Sequence, residues 1–258
     1  MSELIQLEKR GHTAIITINN PPANTWTKAS LKALEETIEA LNADRNIFAL
    51  VVTGQGEKFF SAGADLKAFA DGDIGNASVM AQAFGQAFDA LVRFRGVSIA
   101  AVNGYAMGGG LECALAGDMR IAEEHAQMAL PEATVGLLPC AGGTQNLPWL
   151  VGEGWAKRMI LCGERIDADT ALDIGLVEEV VDSGESLTVA MELAAKVQAQ
   201  SPASVVSCKR LIHADERQPL QTVLAMEREE FVELFNTDDQ MEGVTAFLEK
   251  RPPEWTNS

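Results

Sequence analysis

Two glutamates stand in apolar sequence, where a carboxylate is costly to keep unless it is paired or functional. Glu112 lies within LECALA, and Glu132 follows a proline within ALPEATVGLL. Burial raises the pKa of a carboxyl group, and a neighbouring carboxylate raises the pKa of one member further. Two such groups can share general acid and base roles around one water molecule. Taken singly, each glutamate also fits an ordinary surface position at a helix or turn.

Two loops of small residues supply a second kind of chemistry. Gly108, Gly109 and Gly110 follow a predicted strand, and residues 61–64 follow another. Helix N-termini expose unpaired N–H groups, and glycine lets a ligand atom approach the backbone closely. Two such loops can aim two N–H groups at one point, which is the arrangement of an oxyanion hole. A phosphate site is disfavoured because neither GxxxxGK[ST] nor the spacing of GxGxxG is present. Packing turns between strand and helix remain the alternative for both loops.

The elements that would position these residues alternate between buried strands and helices. Short apolar, β-branched runs predict strands at residues 14–18, 48–54 and 97–104. Apolar spacing in SLKALEETIEALNAD predicts a helix with Ser30 as its N-cap. This alternation predicts an α/β domain with a largely buried sheet.

Shorter elements follow Gly104. The sequence predicts a short helix at GGGLECALAGD, short strands at MRIAEE and AQMAL, a helix opening at AGGTQNL and a strand at residues 175–182. From Ser186 onward the pattern is helical. The predicted division is a sheet-containing body over residues 1–200 and a helical tail over residues 201–258, whose apolar residues must pack on the body or on a neighbouring subunit. These tail residues are Val223, Leu224, Met226, Phe231 and Leu234.

Composition and charge exclude several classes of protein. The chain has 258 residues, of which 47% are hydrophobic, and this is enough for a sizeable core. A formal net charge of -17 disfavours nucleic acid as a partner, because such binding relies on Lys and Arg neutralising phosphates. No apolar run reaches the roughly 20 residues that a membrane helix needs. The first residues resemble neither a secretory signal nor a transit peptide, so we expect a cytoplasmic protein.

The cysteines and histidines are isolated along the sequence. They are Cys113, Cys140, Cys162, Cys208, His12, His125 and His213. Their spacing favours neither a disulfide framework nor a metal site. We therefore expect buried, reduced thiols, histidines at the surface or in loops, and no bound metal.

Three segments together resemble the crotonase superfamily, that is, the enoyl-coenzyme A hydratase/isomerase superfamily. They are FFSAGADL, NGYAMGGGLE and LPEATVGLLPCAGGTQ, which occur in the family's order and spacing. The similarity extends along the whole chain. It implies an α/β fold, a spiral of ββα units with a C-terminal helical region that mediates trimer formation, with trimers commonly pairing into hexamers.

The resemblance also implies the substrate and the site. The substrate would be an acyl-CoA thioester, so that coenzyme A arrives with the substrate and no separate cofactor is expected. The backbone N–H groups of Ala64 and Gly109 would bind the thioester oxygen and stabilise an enolate. Glu112 would position and deprotonate a water molecule, and Glu132 would exchange the proton at the α carbon, although the two roles could be swapped. The implied substrate-binding residues are Ala62, Ala64, Asp65, Leu66, Lys67, Gly108 and Gly109.

Within this family, retention of both glutamates favours hydration. The rival enzyme is a Δ3,Δ2-enoyl-CoA isomerase, which would use Glu132 alone, and a non-catalytic acyl-CoA carrier is the alternative outside enzymes. The sequence departs from the usual pattern at Leu130, where hydratases often carry Gln, at Cys140 for a common Gly, and at Asn146 for a common Arg. Cys140 is expected to be a neutral substitution rather than a reactive thiol. The acyl group would be selected by side chains of residues 68–94.

Overall fold

Parallel strands dominate the computed structural model, which describes residues 3–70, 72–215, 218 and 220–257. The strands are β1 (Ile5–Arg10), β2 (Thr13–Ile18), β3 (Ala49–Gly54), β4 (Phe59–Ser61), β5 (Val97–Val102), β6 (Tyr105–Met107), β7 (Met119–Glu123), β8 (Gln127–Ala129), β9 (Ile166–Asp167) and β10 (Glu179–Val181). The α-helices are α1 (Lys28–Ala43), α2 (Ile74–Val92), α3 (Gly109–Leu115), α4 (Gly143–Leu161), α5 (Ala168–Asp173), α6 (Ser186–Gln198), α7 (Pro202–Asp215), α8 (Leu220–Glu233) and α9 (Asp238–Glu249). Short 3-10 helices lie at Leu66–Phe69, Glu132–Val135 and Leu234–Asn236.

The strands form two sheets. The larger sheet has the order β1-β2-β3-β5-β7-β10, and only β1 runs antiparallel to its neighbour. The smaller sheet has the order β4-β6-β8-β9, with β9 antiparallel. The units β3-β4-α2, β5-β6-α3 and β7-β8-α4 each place the first strand in the larger sheet and the second in the smaller. This repetition confirms the predicted spiral of ββα units and the α/β class.

Both faces of the larger sheet are covered, which explains its continuous apolar strands. Side chains alternate between the faces along a strand. Ile16 and Ile18 of β2 pack into the large core with α1 and α2, whereas Ile15 packs with Ala190 and Ala194 of α6. The result is a helix–sheet–helix arrangement, and β4, β6 and β8 of the smaller sheet each follow a strand of the larger sheet along the chain.

Several predicted boundaries differ from the structure. Ser30 is not the N-cap of α1. Thr27 caps this helix, because its Oγ1 accepts a hydrogen bond from the Ser30 N–H at 3.2 Å. The Ser30 Oγ in turn accepts a hydrogen bond from the Thr27 N–H at 2.9 Å, so that the two residues form a capping box. The strand predicted at residues 175–182 is confined to β10, since Leu176 and Val177 are buried in the turn that follows α5.

The helical tail begins after α6, and a largely buried lysine is one of its contacts with the body. The Lys209 ammonium in α7 donates to the carbonyls of Phe94 and Gly96 at 2.7 and 2.9 Å, and to Asp118 Oδ2 at 2.7 Å. Asp118 also accepts from the Ser98 N–H and so links the tail to β5. The predicted helical region is therefore confirmed, while the boundary at residue 200 stays a prediction.

The thiols are more exposed than expected. Cys113 is buried, but Cys140, Cys162 and Cys208 are exposed in the single chain, so the expectation of buried thiols was wrong for these three. The side chains were misjudged because an isolated cysteine carries no periodic signal. Within the described residues, no cluster of metal-ligating side chains occurs. None of the helices in the described part of the chain is long and apolar enough to cross a membrane.

Candidate active site

The loop after β4 is held by backbone hydrogen bonds to Trp26. The Trp26 N–H donates to the Gly63 carbonyl at 2.8 Å, and the Asp65 N–H donates to the Trp26 carbonyl at 3.0 Å. Ala64 lies between these two bonds, in a parallel bridge with Trp26. The Ala64 N–H itself donates no hydrogen bond within the described part of the chain, so it is available to a ligand.

Each of the three glycines before Glu112 is needed for a different physical reason. Gly108 has a φ of 51°, and a β-carbon there would lie 2.9 Å from Glu132 Oε1. A β-carbon on Gly109 would lie 2.8 Å from Cε1 of Phe84, and one on Gly110 would lie 2.1 Å from the Ser61 carbonyl oxygen. Glycine is therefore needed at all three positions, because a β-carbon would collide with a carboxylate, an aromatic ring or a backbone carbonyl group. Close approach of a ligand was the only functional reason for these glycines that the sequence suggested. The contact with Phe84 was not predicted.

The two loops touch where the predicted oxyanion donors lie. A β-carbon on Gly63 would lie 2.6 Å from the Met107 carbonyl oxygen and 3.1 Å from the Gly109 nitrogen. Ala64 is the next residue along the chain, and Gly109 is the first residue of α3. The Gly109 N–H also has no acceptor among the described residues, as is usual for the first turn of a helix.

Glu112 is buried on α3 with one oxygen already bound. It is 2% exposed, and its Oε1 accepts from the N–H groups of Ala141 and Gly143 at 2.8 and 2.9 Å. Burial raises its pKa, and the two hydrogen bonds partly oppose that rise. These two donors were not predicted from the sequence, although the glycine pair at a predicted helix start was a signal for them.

Glu132 is the more weakly bound of the two carboxyl groups. It begins a 3-10 helix directly after Pro131, and its Oε2 is buried with no hydrogen-bond partner among the described residues. Burial raises its pKa to about 7, and the charge of Glu112 adds to the rise. This carboxyl group can therefore hold or release a proton near neutral pH.

Both carboxyl groups act on the same small region. The pKa of the Cys140 thiol is raised to about 11 by partial burial and by the charges of Glu112 and Glu132. A thiol with this pKa is protonated at neutral pH, which agrees with the expectation that Cys140 is no nucleophile. Leu130 is fully buried in the core beside this region, so its departure from the usual Gln serves packing.

The remaining predicted binding residues lie around the Ala64 loop. The Ala62 N–H donates to the Ala23 carbonyl at 2.9 Å, which fixes the start of the loop. Asp65 Oδ1 accepts from the Lys67 N–H at 3.1 Å and caps the 3-10 helix that follows. Leu66 and Lys67 are exposed at its outer side. The structure thus brings the predicted residues together in two adjoining loops and two carboxyl-bearing segments.

Comparison with known proteins places this geometry in a family. The family model described as "Enoyl-CoA hydratase/isomerase" matches residues 8–258. The short-chain-enoyl-CoA hydratase of Clostridium acetobutylicum is 40% identical over 253 residues, which are 96% of this chain and 95% of that protein. The 2,3-dehydroadipyl-CoA hydratase of Escherichia coli is 40% identical over 256 residues, which are 99% of both chains.

A solved structure agrees with these sequence matches. Pseudomonas aeruginosa DspI superposes with a TM-score of 0.97 at 66% identity, covering 99% of this chain and 97% of that chain. These matches each cover almost the whole chain. The chain belongs to the enoyl-CoA hydratase/isomerase family, the crotonase superfamily, and is an enzyme of the hydratase or closely related isomerase type.

Proposed function

We propose that this enzyme adds water reversibly across the 2,3 double bond of an enoyl-CoA thioester. One observation carries the proposal: two carboxyl groups with different surroundings act on one region, next to two backbone N–H groups that have no acceptor among the described residues. Hydration needs both an acid and a base, and this pair can hold one proton between its members. The relatives' names give different acyl groups, among them short-chain enoyl and 2,3-dehydroadipyl, so no chain length is included.

The proposed reaction runs through an enolate. The thioester oxygen accepts hydrogen bonds from the N–H groups of Ala64 and Gly109, which stabilise the negative charge that develops there. Glu112 takes a proton from water as the water oxygen bonds to the β carbon. Glu132 gives its proton to the α carbon, which leaves the carboxyl pair with the same number of protons as before. No cofactor is needed beyond the coenzyme A carried by the substrate.

The remaining assignments are part of the same proposal. Coenzyme A would lie along Ala62, Asp65, Leu66 and Lys67, with Gly108 beside the thioester. The enzyme would act as a homotrimer or a hexamer in the cytoplasm, without a nucleic-acid or membrane partner. The support is the family resemblance, together with apolar side chains such as Phe231 that the tail leaves exposed in the single chain.

A Δ3,Δ2-enoyl-CoA isomerase is the second candidate, and one contact favours it. Both hydrogen bonds that Glu112 accepts fall on Oε1 and fix the start of α4. A glutamate whose oxygen is held by two backbone groups could have a structural role. Glu132 would then move a proton between the α and γ carbons without help from Glu112. The two functions therefore differ in what they require of Glu112.

The test is to replace each glutamate with glutamine. We expect Glu112→Gln and Glu132→Gln each to lower kcat for crotonyl-CoA hydration by about 10²–10⁴-fold, as for a lost general acid or base. Hydration is followed by loss of the conjugated thioester absorbance. The amide oxygen that Glu112→Gln introduces can still accept from Ala141 and Gly143, so the fold should survive. Glu36→Gln, at an exposed position of α1, is the matched control and should keep full activity.

The same variants separate the two candidates. An enzyme that shifts 3-enoyl thioesters, fails to hydrate crotonyl-CoA and tolerates Glu112→Gln is an isomerase. Thioester binding without any turnover, unchanged by loss of both glutamates, would instead indicate a carrier.

A further inference from the structure

We propose that Phe84 is a positioning residue that fixes the Gly109 N–H in the oxyanion hole. Phe84 lies on α2 and is 3% exposed. The three atoms nearest to a β-carbon on Gly109 all belong to its ring: Cε1 at 2.8 Å, Cζ at 3.3 Å and Cδ1 at 3.6 Å. The Gly109 backbone is helical and would accept a β-carbon. Glycine is therefore needed here because the ring of Phe84 occupies the space.

The ring of Phe84 also connects to the other donor. It packs edge-to-face on Phe88, with centroids 5.7 Å apart at 75°, and Phe88 packs in the same way on Trp26, at 5.6 Å and 72°. The backbone of Trp26 makes the two hydrogen bonds on either side of Ala64. We call Trp26, Phe84 and Phe88 the aromatic cluster. It forms an unbroken path of contacts from the Ala64 loop to the first residue of α3.

This path matters because an oxyanion hole depends on geometry. Its donors must lie about 2.7–3.1 Å from the developing oxyanion, and hydrogen bonds weaken steeply when they are misaligned. Edge-to-face aromatic pairs are directional and stabilise the structure beyond the apolar area that they bury. The aromatic cluster therefore holds two donors on separate loops at a fixed separation. The inference rests on the proposed roles of Ala64 and Gly109, and Phe84 needs no contact with the reacting atoms.

The first test reads carbonyl polarisation directly. 4-(Dimethylamino)cinnamoyl-CoA absorbs at longer wavelength when its thioester carbonyl accepts strong hydrogen bonds. We expect the wild-type enzyme to shift the absorbance of the bound probe to the red. Phe84→Ala should lose most of this shift and lower kcat by roughly 10–100-fold, less than removal of a whole donor costs. KM should change far less. Phe84→Leu keeps more of the apolar volume and should show the same loss in smaller degree.

Phe48→Ala is the matched control. Phe48 is 9% exposed, directly precedes β3, and its ring stacks on His12. Its truncation removes the same side chain from a core site and should leave the red shift and kcat near wild type. A red shift that survives in both Phe84 variants would overturn the inference. No red shift in the wild-type enzyme would overturn the oxyanion hole itself, and this inference with it.

The second test exchanges volume between the two positions. Gly109→Ala places a methyl group against the Phe84 ring and should displace α3 or the ring, with a loss of kcat. In the double variant Gly109→Ala/Phe84→Ala the methyl group enters the space that the ring has left. We expect the double variant to lose less activity than the product of the two single losses. Strictly multiplicative losses would contradict direct packing between the two residues.

Discussion

Glu112 and Glu132 are the same residue type in different surroundings, and this difference sets their proton affinities. Glu112 has two backbone donors on one oxygen, which favour its charged form. Glu132 has a buried oxygen without a partner among the described residues, and its pKa is raised to about 7. In the proposed hydration the pair starts with one proton, on Glu132. Hydration needs that state, because Glu132 must donate and Glu112 must accept.

The pH dependence of kcat/KM tests this assignment. Glu132 loses its proton as the pH rises through about 7, so kcat/KM for hydration should fall above that pH. Well above this pKa the fall should reach about tenfold for each pH unit. Dehydration of the 3-hydroxyacyl thioester should show the same limb, because the overall reaction neither takes up nor releases a proton. Initial rates in both directions from about pH 5.5 to about pH 9 provide the measurement.

As a control, circular dichroism over the same pH range should show that the protein stays folded. A value of kcat/KM that stays level to about pH 9 would show that the reaction needs no proton on Glu132. In that case the proposed division of roles between the two glutamates is wrong.

The candidate carboxyl groups and the two small-residue loops could be singled out from sequence because their signals are local, whereas the two oxyanion donors were predicted from the family resemblance. Glu112 follows three glycines, and a glutamate after a proline in apolar sequence is conspicuous. Phe84 carried no such signal, since one Phe among the apolar residues of a helix predicts only burial. Its role depends on a contact with Gly109, 25 positions further along the chain. The donors to Glu112 were missed for the same reason.

Most of the helices and the apolar strands β2, β3 and β5 were predictable, whereas only β8 of the smaller sheet was predicted. A run of six apolar residues identifies β3, but β4, β6 and β9 have two or three residues each, too few to show a period. The N-cap of α1 was misplaced because Ser30 and Thr27 are both capping residues, and only the hydrogen bonds decide between them. The elements that shape the site are therefore the ones with the weakest sequence signal.

Two glycines on neighbouring helices provide a test of how α3 is joined to β4. Gly110→Ala would place a β-carbon 2.1 Å from the Ser61 carbonyl oxygen, whereas one on Gly85 in α2 meets nothing within 4 Å. We expect Gly110→Ala to lower the free energy of unfolding by roughly 1–3 kcal/mol through overpacking, and to lower kcat because Ser61 leads into the Ala64 loop. Gly85→Ala should raise the free energy of unfolding by about 0.5–1 kcal/mol.

Urea unfolding of both variants gives the comparison. Equal effects of the two substitutions would show that α3 and β4 can separate without cost, and would weaken the view that their close contact sets the oxyanion geometry.

The arrangement of the whole chain depends on contacts that the sequence does not reveal. The helical character of the tail was evident from apolar spacing. Its attachment was not, because Lys209 and Asp118 are 91 positions apart and neither stands out locally. The pair is largely buried, with side chains 12% and 15% exposed, so it fixes α7 against the body rather than lying free at the surface.

The far end of the tail leaves apolar side chains without cover in the single chain. Phe231 and Phe235 pack on each other but remain 63% and 58% exposed, and Phe247 of α9 is 82% exposed. Large exposed apolar side chains in one region mark a surface for association. They support the proposed assembly, in which other subunits would cover this end of the molecule.

Gel filtration with light scattering tests the proposed assembly. The wild-type chain should run at the mass of a trimer or a hexamer at micromolar concentration. Phe247→Asp buries a charge if Phe247 lies in the interface, and this should shift the protein toward the monomer. Leu161→Asp adds the same charge at a position 69% exposed at the end of α4, in the body, and should leave the assembly intact. A monomeric wild-type protein would contradict the trimer, and an unchanged mass for Phe247→Asp would place the interface elsewhere on the chain.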